Sequence, residues 1–292
     1  MSNEFESFYA SCREKLVLYL EEFVGKEIEE KRLREASLHI LTRGKMFRAV
    51  AALVCLETLQ PGAELSRFMP EVASLELVQC FTLIHDDLPA LDNASLRRGV
   101  ESVHARFGEA WAILAGDSLL NLAYKSICLG QTSAGQKIQL VDTLANALES
   151  VIEGQALELS LSGRTVSLKE AEKIMALKTA SLISASFMFG AILAQADEES
   201  SLTLKEMGRL VGIAYQAKDD TFSVLCSEEK AGKSLSADEA LGRPTIVAVL
   251  GVEGTIEYFN EKMAQATRLI ARIKGDTSML ERFLTVLSKR EK

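Results

Sequence analysis

The run Leu83-Ile84-His85-Asp86-Asp87-Leu88-Pro89-Ala90-Leu91-Asp92-Asn93-Ala94-Ser95-Leu96-Arg97-Arg98-Gly99 brings Asp86, Asp87 and Asp92 close in sequence to Arg97 and Arg98. Carboxylate oxygens at this density suit Mg²⁺, which keeps part of its water shell and bridges to substrate phosphates. The arginine pair suits planar, bidentate recognition of phosphate oxygens. The chemistry these residues could do together is metal-assisted handling of a phosphorylated substrate.

The element that must position them is a helix. Leu75, Val78, Phe81 and Thr82 recur at helical spacing, and Leu77, Ile84 and Leu88 fill a neighbouring stripe. On an ideal helix Asp92 is turned about 140° from Asp87 and about 240° from Asp86, so a straight helix aims the three at different places. Pro89 removes a backbone donor and clashes with the preceding turn; a bulge there is expected to swing Asp92 back beside Asp86. Taken alone, the run fits a solvated, charged helix end equally well.

A second acidic pair favours the metal. Gln216-Ala217-Lys218-Asp219-Asp220 also follows an apolar helical pattern, built from Met207, Leu210, Val211, Ala214 and Tyr215. Helices that each end in an acidic pair can face one another across a cavity and share metal ions. Upstream, Gly44 breaks a helical segment and Lys45 begins another. Free N–H groups at such a helix start favour an anion, and Lys45 and Arg48, three apart, would share one face; a plain surface pair fits the same spacing.

Composition narrows the setting. The chain has 292 residues, 48% of them hydrophobic, with only 4 prolines. It lacks a linker, an internal repeat or alternating β patterns, which predicts one all-α domain over residues 1–292. A formal charge of −8 disfavours a nucleic-acid binder. Cys12, Cys55, Cys80, Cys128 and Cys226 show no metal-ligand spacing and read as reduced thiols, buried where they fall in apolar stripes. No apolar run is expected to reach the length of a membrane span. With a charged N-terminus lacking a signal core, the protein is expected to be cytoplasmic.

These motifs occur in an order that resembles the trans-isoprenyl diphosphate synthases, especially the bacterial short-chain farnesyl and geranylgeranyl diphosphate synthases. The order is Gly44-Lys45-x-x-Arg48, Asp86-Asp87-x4-Asp92 with Leu96-Arg97-Arg98-Gly99, Phe107-Gly108-Glu109-Ala110, Ala112 to Asp117, Lys178-Thr179, Gln216 and Asp219-Asp220. The likeness runs from about Leu38 to about Leu250. It implies the isoprenoid synthase fold, a helical bundle around a central apolar cavity. It also implies a homodimer and Mg²⁺-dependent condensation of isopentenyl diphosphate with dimethylallyl or geranyl diphosphate.

Carried over residue by residue, the resemblance makes Asp86, Asp87, Asp92, Asp219 and Asp220 the metal-ligand set. Gly44, Lys45, Arg48, Gln79 and Arg98 hold isopentenyl diphosphate. Arg97, Lys178, Lys233 and Arg243 hold the allylic diphosphate. Thr179 and Gln216 stand beside the developing cation. Phe81 and Thr82 wall the product cavity, the aromatic favouring a C15 over a C20 product. The small residues Ala180, Ser181, Ser184, Ala185 and Ser186 are expected to leave room for a hydrocarbon tail. Asp117 is expected as a structural carboxylate inside the bundle.

The second acidic motif departs from the family. Ser223 takes the place of its last Asp and Lys218 adds a positive charge, so weaker Mg²⁺ affinity is expected. Ala94 and Ser95 replace further acids. Those departures keep open a catalytically weakened or regulatory diphosphate-binding paralogue. A class I terpene cyclase, which has no isopentenyl site, fits Lys45, Arg48 and Arg98 poorly.

Overall fold

The computed structural model describes residues 2–231 and 242–289, with side chains over 4–225 and 242–289. The chain is all-α, as its 3-to-4-residue periodicity predicts. Its one strand pair among the described residues is a hairpin of two-residue strands, β1 (Leu96–Arg97) and β2 (Val100–Glu101). Two compact units are recognisable, Met1–Asp142 and Thr143–Lys292.

The first unit holds α1 (Ser2–Glu27), α2 (Lys31–Leu41), α3 (Phe47–Leu59), α4 (Met69–Asp86), α5 (Val103–Phe107), α6 (Glu109–Leu129) and the start of α7 (Ala134–Leu161). Its centre is α3. Phe47, Ala49 to Leu56 and Thr58 are all buried, as expected of a helix that is apolar on every side. Pro70 stands in the first turn of α4, where its missing N–H costs nothing. Val72, Leu75, Leu77, Val78 and Ile84 of α4 are buried, and α4 packs along α6.

The second unit holds the rest of α7, α8 (Leu168–Met175), α9 (Ser181–Leu193), α10 (Glu198–Ala231), α11 (Ile246–Leu269) and α12 (Ser278–Lys289). A capping box starts α8: the Ser167 hydroxyl accepts from Glu170 N, and the Glu170 carboxylate accepts from Ser167 N. Between α8 and α9, Ala176–Ala180 form one π-helical turn. α10 packs against both α9 and α11.

One expectation from the sequence needs correcting. Two helical stretches, Glu109–Leu129 and Leu168–Leu193, are long and apolar enough by composition to cross a membrane. The π turn joins α8 to α9 without a break, which the sequence does not announce. Most of the second stretch is buried inside the protein, which accounts for its apolarity.

Three thiols are buried as expected, whereas Cys128 is free but exposed. Cys12, Cys55 and Cys80 are buried and free. Burial pushes Cys12 up to about 11 and Cys80 up to about 12, which suppresses the reactive thiolate. The side chain of Cys226 lies outside the described residues.

Candidate active site

In the first unit, α4 delivers Asp86 in its last turn and ends there, with Asp87 as its cap. The chain then folds back: Asp92 N–H donates to Asp86 O at 2.9 Å and Ala94 N–H to Asp87 O at 3.2 Å, with Asn93 left-handed at φ 47. The expected return of Asp92 to Asp86 is present, made by a closed loop after the helix rather than by a bulge within it. Both side chains are half-buried.

Asp87 has a different environment. Its side chain is 0% exposed and accepts from Arg97 Nε at 3.0 and 3.1 Å and from Arg97 Nη2. Burial lifts the Asp87 carboxyl above its ordinary range while the Arg97 hydrogen bonds pull the other way. Burial opposes the charge on Arg97, but Asp87, aided by Asp86 and Asp92, holds it firmly protonated. The metal role expected of Asp87 is therefore corrected: its oxygens are committed to the guanidinium.

The hairpin explains how the arginine pair is aimed. Arg98 and Gly99 form its turn, both left-handed at φ 53 and 79, the signature of a type I′ turn. Adjacent arginines thereby diverge. Arg97 goes to Asp87, while Arg98 Nη1 donates to Ile40 O at 2.6 Å and Leu41 O at 3.3 Å at the end of α2. The Arg98 guanidinium lies against Gly44, where a Cβ would stand 2.8 Å from its Nη1. A larger residue there would push the guanidinium aside.

The Gly44–Arg48 segment is held from several sides. Tyr9 Oη donates to Lys45 O at 2.5 Å and Arg13 Nε to Gly44 O at 3.3 Å, both from α1. Lys45 is exposed and precedes the helix, because Met46 is left-handed at φ 53 and α3 begins only at Phe47. Lys45 and Arg48 thus do not share a helix face. The helix start is not open to a substrate anion either, since Arg48 N–H and Ala49 N–H both donate to Glu76 Oε1, at 2.9 and 3.1 Å.

On α4, Gln79, Phe81 and Thr82 are half-buried. The Thr82 hydroxyl donates to Gln79 O at 2.9 Å, and the Phe81 ring meets His85 edge-on at 4.8 Å between centroids. Asp117 is exposed, with 62% of its side chain open, at 4.0 Å from His85 Nε2. It lies on the uncovered face of α6 with Ile113 and Leu114, so the expected interior carboxylate is corrected.

In the second unit a cavity of about 200 Å³ is lined by Glu158, Lys178, Thr179, Gln216, Asp219, Asp220, Ser223 and Arg243, among others. The π turn presents Lys178 and Thr179 to it. Lys178 Nζ pairs with Glu158 at 2.6 Å. The Thr179 hydroxyl donates to Gln216 Oε1 at 2.6 Å, and Gln216 Nε2 to Asp220 Oδ1 at 2.7 Å. Asp220, 7% exposed, also accepts from Ile246 N–H at the start of α11. Like Asp87, it spends its oxygens on protein donors, whereas Asp219 is more open. Lys233 lies outside the described residues.

Two further expectations change here. Lys218 does not line this cavity; its ammonium donates to Ser288 O at 3.0 Å on α12 and sits 4.7 Å over the Phe259 ring. The small residues Ala180, at the end of the π turn, and Ser184, Ala185 and Ser186, on α9, are buried, and Ala180 and Ser184 take part in close helix packing. A Cβ on Gly212 of α10 would stand 2.4 Å from the Ala180 Cα.

No three His, Cys, Asp or Glu side chains among the described residues converge closely enough to hold a metal by themselves. Magnesium takes one or two carboxylates and completes its shell with water and substrate phosphate. Asp86 and Asp92 in the first unit, and Asp219 in the second, are half-buried carboxylates, oxygen donors of the kind magnesium takes.

The polyprenyl synthetase family model matches residues 30–285. The chain is 32% identical to a farnesyl diphosphate synthase of Bacillus subtilis, covering 100% of both chains. It is 34% identical to a farnesyl diphosphate synthase of Micrococcus luteus, covering 90% of this chain and 91% of that one. A geranyltransferase of Helicobacter pylori, solved with magnesium and isoprenyl diphosphate, superposes with a TM-score of 0.83. It is 27% identical over 97% of this chain and 96% of that one.

Proposed function

The chain belongs to the polyprenyl synthetase family, and from that premise we propose that it condenses isopentenyl diphosphate with dimethylallyl or geranyl diphosphate, ending at farnesyl diphosphate. The observation that carries the reading is the single cavity onto which Lys178, Thr179, Gln216, Asp219 and Arg243 open.

In this reading the allylic C1–O bond breaks and diphosphate leaves with the electron pair. Arg97, Lys178, Lys233 and Arg243 are the cations assigned to that leaving group. Asp86 and Asp92 of the first unit and Asp219 of the second are the carboxylates that would bind magnesium, which would neutralise part of the developing charge. Lys45, Arg48, Gln79 and Arg98 hold isopentenyl diphosphate, whose double bond forms the new carbon–carbon bond at C1. The Thr179 hydroxyl donates to Gln216, leaving its oxygen lone pairs to face the cation. A proton then passes from C2 of the isopentenyl unit to the departed diphosphate. Glu158 holds the Lys178 ammonium at the cavity wall until a diphosphate competes for it.

Phe81, backed by His85, supports a C15 limit. Exposed Ala110, Ile113 and Leu114 on α6 support a homodimer with this face covered, and the enzyme is read as cytoplasmic. The test is turnover of purified protein with Mg²⁺, isopentenyl diphosphate and each allylic primer, with product length read by mass spectrometry. Farnesyl diphosphate is expected, abolished by EDTA. Product formed without isopentenyl diphosphate would point to a cyclase, and no product with any primer would reject the reading.

A further inference from the structure

We propose that Glu76 is a positioning residue for the isopentenyl diphosphate site, acting through the backbone of Arg48; the inference rests on the prenyltransferase reading. Glu76 is 4% exposed on α4. One of its oxygens accepts from both Arg48 N–H and Ala49 N–H, the second and third residues of α3. An N-terminal turn needs an acceptor for these donors, and a residue before the helix usually provides it. Met46 occupies that place with no side-chain cap. Its left-handed backbone turns Lys45 away from the helix axis, so a cap from another helix is required.

The consequence for binding is specific. A carboxylate fills the anion position that a helix start would otherwise offer, so Arg48 N–H and Ala49 N–H are not open to the diphosphate and the side chains of Lys45 and Arg48 must reach it. Where those side chains stand depends on where α3 begins, and Glu76 sets that point against α4. Gln79 lies three residues further along α4, on the same side of the helix. One short stretch of α4 therefore fixes Arg48 and presents Gln79. Tyr9, Arg13 and Arg98 hold the Gly44–Lys45 end of the same segment. The clamp is built before any substrate arrives, and Glu76 is its only charged member on α4.

The test compares Glu76→Leu and Glu76→Gln with the natural enzyme. It reads KM for each substrate, kcat, and isopentenyl diphosphate binding by calorimetry without an allylic primer. Glu76→Leu is expected to raise KM and Kd for isopentenyl diphosphate at least tenfold, with KM for geranyl diphosphate changed less than twofold. Glu76→Gln, which keeps one acceptor oxygen, is expected to raise them about threefold. If Glu76→Leu does not fold, the Gln variant decides by the same split. Equal rises for both substrates, or no rise in a folded variant, overturn the proposal. Failure of the natural enzyme to turn over while the calorimetric split persists would reject the reaction and keep the positioning role. Absence of isopentenyl diphosphate binding by the natural protein overturns both.

Discussion

Asp87 and Arg97 are joined carboxylate to guanidinium, with the Asp87 side chain fully buried and the Arg97 side chain 29% exposed. The neighbouring Asp86, by contrast, is only half-buried. Two adjacent acids thus have different work, which separates the effects of removing them. Asp87→Ala leaves a largely desolvated guanidinium unpaired and should cost about 3 kcal/mol of stability, read by urea denaturation. Asp86→Ala should leave stability within about 0.5 kcal/mol and lower turnover about a hundredfold or more. Reversal of that pattern would reject the assignment.

The departures in the second acidic motif are separable too. Ser223 lines the same cavity as Asp219, four residues away on α10, so Ser223→Asp adds a ligand charge there. It should lower the Mg²⁺ concentration for half-maximal rate about tenfold, read from a magnesium titration of turnover.

Lys218 reaches Ser288 O and the Phe259 face instead. Lys218→Ala should loosen α12 at a cost of about 0.5–1 kcal/mol and leave the magnesium titration unchanged. Denaturation with that titration run in parallel checks both.

What the sequence discloses here follows from how local each feature is. The apolar stripes that lead to Asp86 and Asp219 repeat within one helix, so α4 and α10 are visible directly. Pro89 announces the break that returns Asp92 to Asp86. Glu76 escapes notice because its partners lie on α3. Its signal is a lone charge inside the buried stretch Val72 to Val78. The direction of Lys218 is not legible locally, because it is decided by α12, seventy residues on. The small residues of α9 leave either a void or a close approach. Gly208 and Gly212, four apart on α10 and abutting Ser184 and Ala180, choose the approach.

That approach makes Gly212 a sensitive position. Alanine would gain about 1 kcal/mol in helix preference over glycine. Its Cβ, however, would fall 2.4 Å from the Ala180 Cα, a backbone atom that cannot rotate away. Overpacking of this kind costs about 1–3 kcal/mol, so the net change should be destabilising. Because Ala180 closes the π turn that carries Lys178 and Thr179, turnover should fall further than stability predicts. Thermal unfolding and kcat measured on one preparation test this.

His39 supplies a pH dependence near neutrality. It sits in the last turn of α2, its Nε2 donating to Glu101 O at 2.8 Å and its ring against Phe107. Burial holds its imidazole below the ordinary value of 6.5; the Glu101 carbonyl opposes this, while Arg106 and Arg43 add to it. Between the folded and unfolded values the unfolded chain binds more protons. Stability therefore rises with pH through that window, is fully present above 6.5, and is lost as pH falls toward the folded value. His39→Gln should flatten the stability profile between pH 7.5 and pH 5.5. Denaturation midpoints at those two pH values measure it, and an unchanged slope in the variant would place the titration elsewhere. Because α2 ends at the carbonyls that receive Arg98, protonation of His39 should also weaken isopentenyl diphosphate binding at the acid end of that range.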